Sequence, residues 1–265
     1  MTTEHGDIRV GLMPYLNSEV FYYDFESAGM ELCPMVPNAM GQAATRGDLD
    51  AGPVPLVDCF RLEDQFEYVN GFCIATVERA RSILLYCRQP IEEMKGASVA
   101  VTGETSTSAQ LLRVLLTHRF EVRPREYVTL EQPHDAYLLI GDNALRRMGG
   151  DPSYPFLYDL GQVWHDWTGL PFVFACWIVR KTVDSDVRQR LRDQLDTSIQ
   201  AGLTNVEAIS DKRHADLGLS RQEVVEYVRS FHYVAGEEER EAIGRFRHLL
   251  EALPQASAIT ANTER

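Results

Sequence analysis

The chain has 265 residues, 45% of them hydrophobic and 25% charged, and its 39 acidic against 26 basic side chains give a net charge of −13. That balance excludes a nucleic-acid binder, because no basic stripe is available to displace counterions from phosphates. It also works against long-range steering of an acidic ligand, so an anion must be gripped by local donors: helix N-termini, hydroxyls or single arginines.

Residues 1–7 are polar and acidic, without the basic and apolar regions of a secretory signal, which points to the cytoplasm. Residues 8–13 read as a strand that ends in turn-forming residues and a polar Asn17-Ser18 pair, followed by the aromatic stretch 20–23. A weak strand at 32–36 precedes helix-type spacing over 38–46, which stops at Gly47. Residues 47–55 form a short strand closed by Gly and Pro, with a helix to about Phe60. Residues 68–76 and 82–86 are further strands, and Lys95-Gly96 turns into another at 97–101. A hydroxyl-rich loop, Thr102 to Ser108, leads to an amphipathic helix over 109–118. A strand near 126–128 precedes one at 136–140 that ends at Gly141-Asp142.

Thr168-Gly169-Leu170-Pro171 then opens an unbroken apolar run to Val179, the pattern of a central parallel strand buried on both faces. From Thr182 onward the chain reads as mainly helical, with strong spacing at 187–199 and 237–253 and a frayed tail over 254–265. Alternating strands and helices imply an α/β fold with parallel sheets covered by helices. Two long apolar segments, 82–88 and 172–180, read as crossings between two lobes: residues 1–87 and 178–265, with the C-terminal helices, in lobe one, and 88–177 in lobe two. This double crossover is the bilobal arrangement in which lobes close over a ligand in the cleft between them. One doubly wound sheet is the alternative. The five cysteines are odd in number and form no C-x-x-C pair, so they read as buried thiols and not as a disulfide framework or zinc ribbon. No apolar run reaches membrane-spanning length.

Six segments then occur in fixed order from about residue 8 to 250: Tyr15-Leu16-Asn17-Ser18; Gly47-Asp48-Leu49-Asp50-Ala51-Gly52 with Val54-Pro55; Ser82-Ile83-Leu84-Leu85; Leu138-Leu139-Ile140-Gly141-Asp142 with Ala144-Leu145; Tyr158-Asp159-Leu160-Gly161 with Trp164; and Thr168 through Ala175. As an ordered set they resemble the menaquinone-biosynthesis chorismate dehydratases of the futalosine pathway. The resemblance implies a cytoplasmic enzyme with a type-2 periplasmic-binding-protein-like fold that converts chorismate to 3-[(1-carboxyvinyl)oxy]benzoate and water without a cofactor or metal. The chain departs from the family's pattern at Glu19-Val20-Phe21, where a proline is usual close by. It departs again at Thr76 to Arg81, which lacks the glycine usual before the family's serine.

The substrate implied is a dianion with an enol ether and a hydroxyl on a cyclohexadiene ring. Its dehydration asks the protein to orient the ring, stabilise charge growing on the ring carboxylate and help hydroxide depart. The resemblance gives the catalytic roles to Asn17 and Ser82, neutral groups able to hold a carboxylate or a leaving hydroxyl. Thr105, Ser106, Thr107 and Ser108 lie between a strand and a helix, where hydroxyls and backbone N–H groups converge on an anion or simply cap the helix. Gly141 and Asp142 stand at a strand end, as contacts or as a turn and cap. Thr168 and Gly169 line the cleft or make the turn. Ser18 is a further expected substrate contact, and Tyr15 and Phe172 are ring contacts or packing residues.

His165 is tempting as an acid–base group, but reads better as a loop histidine between packed tryptophans, and His134 as a surface residue. Asp48 and Asp50 read as a helix-to-strand turn and Glu237-Glu238-Glu239 as an acidic helix start. Arg79, Arg81 and Arg88 could face a dianion or remain solvated. Two other functions are compatible with the pattern: the 1,4-dihydroxy-6-naphthoate synthase of the same pathway, and a non-catalytic small-anion-binding module. The oligomeric state is left open.

Overall fold

The computed structural model describes residues 7–26 and 29–254. The first six residues and most of the expected tail, 255–265, lie outside the described residues. β1 (Ile8–Leu12) is followed by a 3-10 segment, Leu16–Tyr22, then β2 (Met30–Pro34), α1 (Pro37–Arg46), β3 (Ala51–Pro55), α2 (Leu56–Leu62) and β4 (Phe66–Thr76). Next come β5 (Ile83–Cys87), β6 (Ser98–Val101), α3 (Thr107–Val114), β7 (Glu126–Val128), β8 (Ala136–Ile140), α4 (Gly141–Leu145), β9 (Phe156–Asp159) and α5 (Leu160–Thr168). β10 (Phe172–Arg180), α6 (Ser185–Thr204), α7 (Val206–Leu217), α8 (Arg221–Arg229), β11 (Phe231–Val234) and α9 (Glu237–Glu251) follow.

Among the described residues, those up to Ala75 and from Phe174 to Ala235 form one compact unit, and those from Thr76 to Val173 and from Gly236 onward form a second. The first unit is built on a six-stranded sheet in the order β11-β4-β10-β3-β1-β2. β1 is parallel to β2 and β3, while β10 runs antiparallel to β3, with Cys176 opposite Val54. The apolar run of β10 is therefore central and buried, as expected, but not parallel. A strand covered on both faces has the same composition whichever way it points. Local chemistry sets the smaller elements: α1 has Pro37 in its first turn and closes on Gly47 at φ 84, where a side chain would be strained. The stripe Val187, Leu191, Leu195, Ile199 on α6 is buried at helical spacing.

The second unit holds a five-stranded sheet in the order β7-β6-β8-β5-β9. β6 is parallel to β7 and β8, and β5 is antiparallel to both β8 and β9. Both sheets are thus mixed. The chain changes unit three times, at 75/76, 173/174 and 235/236. Only one of the two expected crossing segments, 172–180, contains a change; 82–88 lies inside the second unit as β5. The last helix also departs from the expected division. α9 belongs to the second unit, where Phe246 meets the ring of Phe172 at 5.0 Å and that of Trp164 at 6.0 Å, and the Leu249 carbonyl lies 3.0 Å from His118 Nε2. Among the described strands and α-helices, β9, α5 and β11 were absent from the sequence reading.

Candidate active site

In the first unit the residues of interest follow β1, at the carboxyl end of three mutually parallel strands, the usual ligand-facing end of such a sheet. Tyr15, Leu16, Asn17 and Ser18 form the entry to the 3-10 segment, all buried. The turn is tied down from inside. Ser18 Oγ donates to the carbonyls of Met13 and Tyr15 at 2.8 and 2.7 Å. The Tyr22 hydroxyl accepts from the Met13 amide and donates to the Gly11 carbonyl at 2.8 Å. Burial pushes that phenol well above its ordinary pKa, so it stays a neutral donor. From outside, Glu19 pairs with Arg213 of α7, and a Cβ on Gly202 of α6 would come within 2.9 Å of the Val20 Cα. Within this fixed turn Asn17 is 7% exposed, and its Oδ1 is buried without any hydrogen-bond partner. An orphaned buried acceptor costs stability, which marks the position for a ligand.

In the second unit the expected residues gather at one end of the sheet. β6, β8 and β9 finish there, and β5 starts there, just after Ser82. The Gly141 amide donates to the Ser82 carbonyl at 2.8 Å, which joins Ser82 to Gly141 and Asp142. Asn143 Nδ2 donates to Glu104 at 3.3 Å, which brings the hydroxyl-rich loop beside α4. Ser82 is fully buried, and its hydroxyl donates to the Ala80 carbonyl over a long 3.2 Å. Thr105 Oγ1 accepts from the Ser108 amide at 3.2 Å, so its hydroxyl caps α3; Thr107 and Ser108 are buried and Ser106 half-buried. Gly141 sits at φ 56 as the turn into α4, and Asp142 is buried in its first turn.

Three expected contacts stand apart from this end. Thr168 Oγ1 donates to the Trp164 carbonyl at 2.9 Å and accepts from the Leu170 amide, while Gly169, at φ 72, ends α5. They make the turn at the far end of a nine-residue helix, about 13 Å from its start at the site end. Phe172 is 1% exposed and packs edge-on to Trp164 and Phe246, a core residue of the second unit.

Asp159 was not expected to act here. Its Oδ1 accepts from the amides of Ala80, Gly161 and Gln162 at 3.1, 2.9 and 3.3 Å, and its Oδ2 from the amide of Arg81 at 2.6 Å. The side chain therefore caps α5 and pins the loop that delivers Ser82. Burial raises its pKa while these amides pull the other way. Gly161 matters for the same loop, since a Cβ there would lie 2.9 Å from the Ala80 nitrogen. Arg81 holds φ 57, the left-handed conformation natural to glycine. Arg79 and Arg81 line a pocket of about 390 Å³ with Tyr158, Asp159 and Gln162. Arg88 does not join them; its guanidinium lies over the Tyr154 ring at 5.0 Å. His165 is on α5 and not in a loop, and His134 is half-buried against the rings of Tyr137 and Tyr154. Asp50 staples Arg9, while Asp48 pairs with Arg46, both in keeping with a structural turn.

Among the described residues no helix is long and apolar enough to cross a membrane. The whole-chain likenesses are to binding-protein folds: the periplasmic aliphatic sulphonate binding protein of Escherichia coli, 14% identical, superposes with a TM-score of 0.60 over 94% of this chain and 91% of that one. A crystal structure of a protein from Archaeoglobus fulgidus, 17% identical, gives a TM-score of 0.74 over 94% of this chain and 98% of that one. The protein thus has the α/β fold of the periplasmic binding proteins. The family model described as Menaquinone biosynthesis matches residues 8–252, and the chain belongs to that family. The chorismate dehydratase of Thermus thermophilus is 25% identical over 91% of this chain and 94% of its own length. The 1,4-dihydroxy-6-naphtoate synthase of Streptomyces coelicolor is 25% identical over 76% and 75%.

Proposed function

We propose that this protein is a cytoplasmic chorismate dehydratase that forms 3-[(1-carboxyvinyl)oxy]benzoate and water in menaquinone biosynthesis. Support comes from the family match over 8–252 and from the dehydratase relative, which aligns over more of both chains than the naphtoate synthase does. At the residue level one observation carries the reading: Asn17 offers a buried amide oxygen with no protein partner, in a turn fixed on both sides.

The chemistry asks little beyond such groups. The hydrogen on the ether-bearing ring carbon is acidified through the diene by the ring carboxylate. Its removal, followed by loss of the neighbouring hydroxyl, makes an aromatic ring. Asn17 Oδ1 accepts from that ring hydroxyl and fixes the C–O bond for departure. Ser82 exchanges its long bond to Ala80 for a shorter one to an anionic substrate oxygen. The hydroxyls of Thr105 to Ser108 hold the carboxylates, beside the turn that the Gly141 amide, bonded to the Ser82 carbonyl, makes into Asp142. The substrate's own enolpyruvyl carboxylate takes the ring proton and returns it to the departing hydroxide, so one water leaves and no external acid or oxidant is consumed.

Incubation with chorismate, followed by ultraviolet and mass spectra, tests the reading: loss of one water and an aromatic product are expected. Asn17→Ala should lower kcat/KM by about 100-fold or more while leaving the melting temperature unchanged or raised. Inertness of the wild type toward chorismate would move the assignment to the naphtoate synthase reaction, and binding without turnover would make the protein an anion-binding module.

A further inference from the structure

Thr76 is the last residue of β4 and the first of the second unit. It is 1% exposed, and its Oγ1 is buried with no hydrogen-bond partner. A threonine hydroxyl both donates and accepts, and sequestering it unpaired is costly. Packing alone would favour valine, which has the same shape and suits a strand better. The chain has kept a polar group where the fold gains nothing from it.

The position explains what it does gain. After Thr76 the chain enters the loop that ends at Ser82, whose last residues are pinned through the amides of Ala80 and Arg81 to Asp159. The strand fixes the backbone of Thr76, and the Asp159 contacts fix the far end of the loop. Trp177 also carries an orphaned Nε1, but it lies within β10 against the rings of Phe21 and Tyr22, at 5.4 and 6.0 Å. Among the described residues, only Thr76 joins an orphaned polar atom to the Ser82 loop.

We infer that Thr76 is a further substrate-contacting residue, whose hydroxyl donates to an anionic oxygen, a carboxylate of the ring substrate. This rests on the chorismate reading above and adds to it a group that the resemblance did not assign. Unpaired, the buried hydroxyl is a cost; paired with a substrate carboxylate it becomes a charge-assisted hydrogen bond.

Thr76→Val and Thr76→Ser in the full chain separate the possibilities, with kcat/KM for chorismate and the melting temperature measured beside wild type. Thr76→Val is expected to melt at or above wild type and to lose about 10- to 100-fold in kcat/KM, the worth of one hydrogen bond to a charged group. Thr76→Ser, which keeps the hydroxyl, is expected to stay within about threefold of wild type. A Thr76→Val variant as active as an active wild type overturns the assignment of Thr76 alone. So does a loss of activity accompanied by a lower melting temperature, which makes Thr76 a packing residue, or a Thr76→Ser variant as poor as Thr76→Val. A wild type inert toward chorismate refutes the underlying reading and takes this inference with it.

Discussion

Arg81 is the residue where local strain is easiest to test. At φ 57 it occupies a region that costs most side chains about 1–2 kcal/mol. Arg81→Gly should therefore hold the melting temperature, the relief of strain offsetting the extra freedom of the unfolded chain. Arg81→Val should lose about 2 kcal/mol in denaturant titration, because a branched Cβ fits this region worst. Equal stability of the two variants would show that the loop can relax out of this conformation. The sequence shows an arginine before Ser82, but not that it holds a backbone conformation natural to glycine. Candidate hydroxyls were legible as hydroxyls, while their employment was not. Ser18 spends its donor on Met13 and Tyr15, Thr168 on Trp164, and Thr76 on nothing, yet all are small hydroxyl residues beside turns.

Among elements, α5 shows how a helix start serves a neighbouring loop. Asp159→Ala would leave four amides without their acceptor, from Ala80, Arg81, Gly161 and Gln162. A loss of about 2 kcal/mol or more is expected in chemical denaturation, with kcat falling further than KM rises as Ser82 loses its setting. Gly161→Ala should move kcat the same way, since its Cβ meets the Ala80 backbone. Full turnover in both would separate this loop from catalysis. A second carboxylate gives a pH test: Asp135 accepts from the Ser98 amide at 2.9 Å and the Ser98 hydroxyl at 3.0 Å, tying β8 to β6. The backbone bond lowers its pKa, so its contribution is present above the unfolded value near 3.9 and is lost as pH falls through the folded one. Asp135→Asn should melt below wild type at pH 7, the gap narrowing as pH falls below about 3.9. A gap that persists there would mean the amide, not the charge, matters. The short β9 and β11 escaped notice because three or four residues of strand carry almost no periodicity, and α5 because its three aromatic and turn residues read as a loop.

At the scale of the molecule, the α/β class was legible because alternation survives any local error, whereas the exchange points, three and not two, were not. β5 and β10 are equally apolar, so composition cannot tell a strand that changes unit from one buried within its own sheet. The same blindness placed α9 in the wrong half. Its residues Phe246 and Leu249 repeat at helical spacing and would suit either core. Their actual partners, Phe172, Trp164 and His118, make the C-terminal helix part of the second unit's core. A fragment of residues 76–173 therefore lacks that cover and should show no cooperative thermal transition and little near-ultraviolet circular dichroism from Trp164. Fusing residues 236–254 to it through a flexible linker should restore both. In the full chain Phe246→Ala should cost about 3–5 kcal/mol, as removing a fully buried phenylalanine generally does. If the bare fragment folds cooperatively, the helix is an ornament on a finished core, and Phe246→Ala in the whole protein should then cost no more than a surface change.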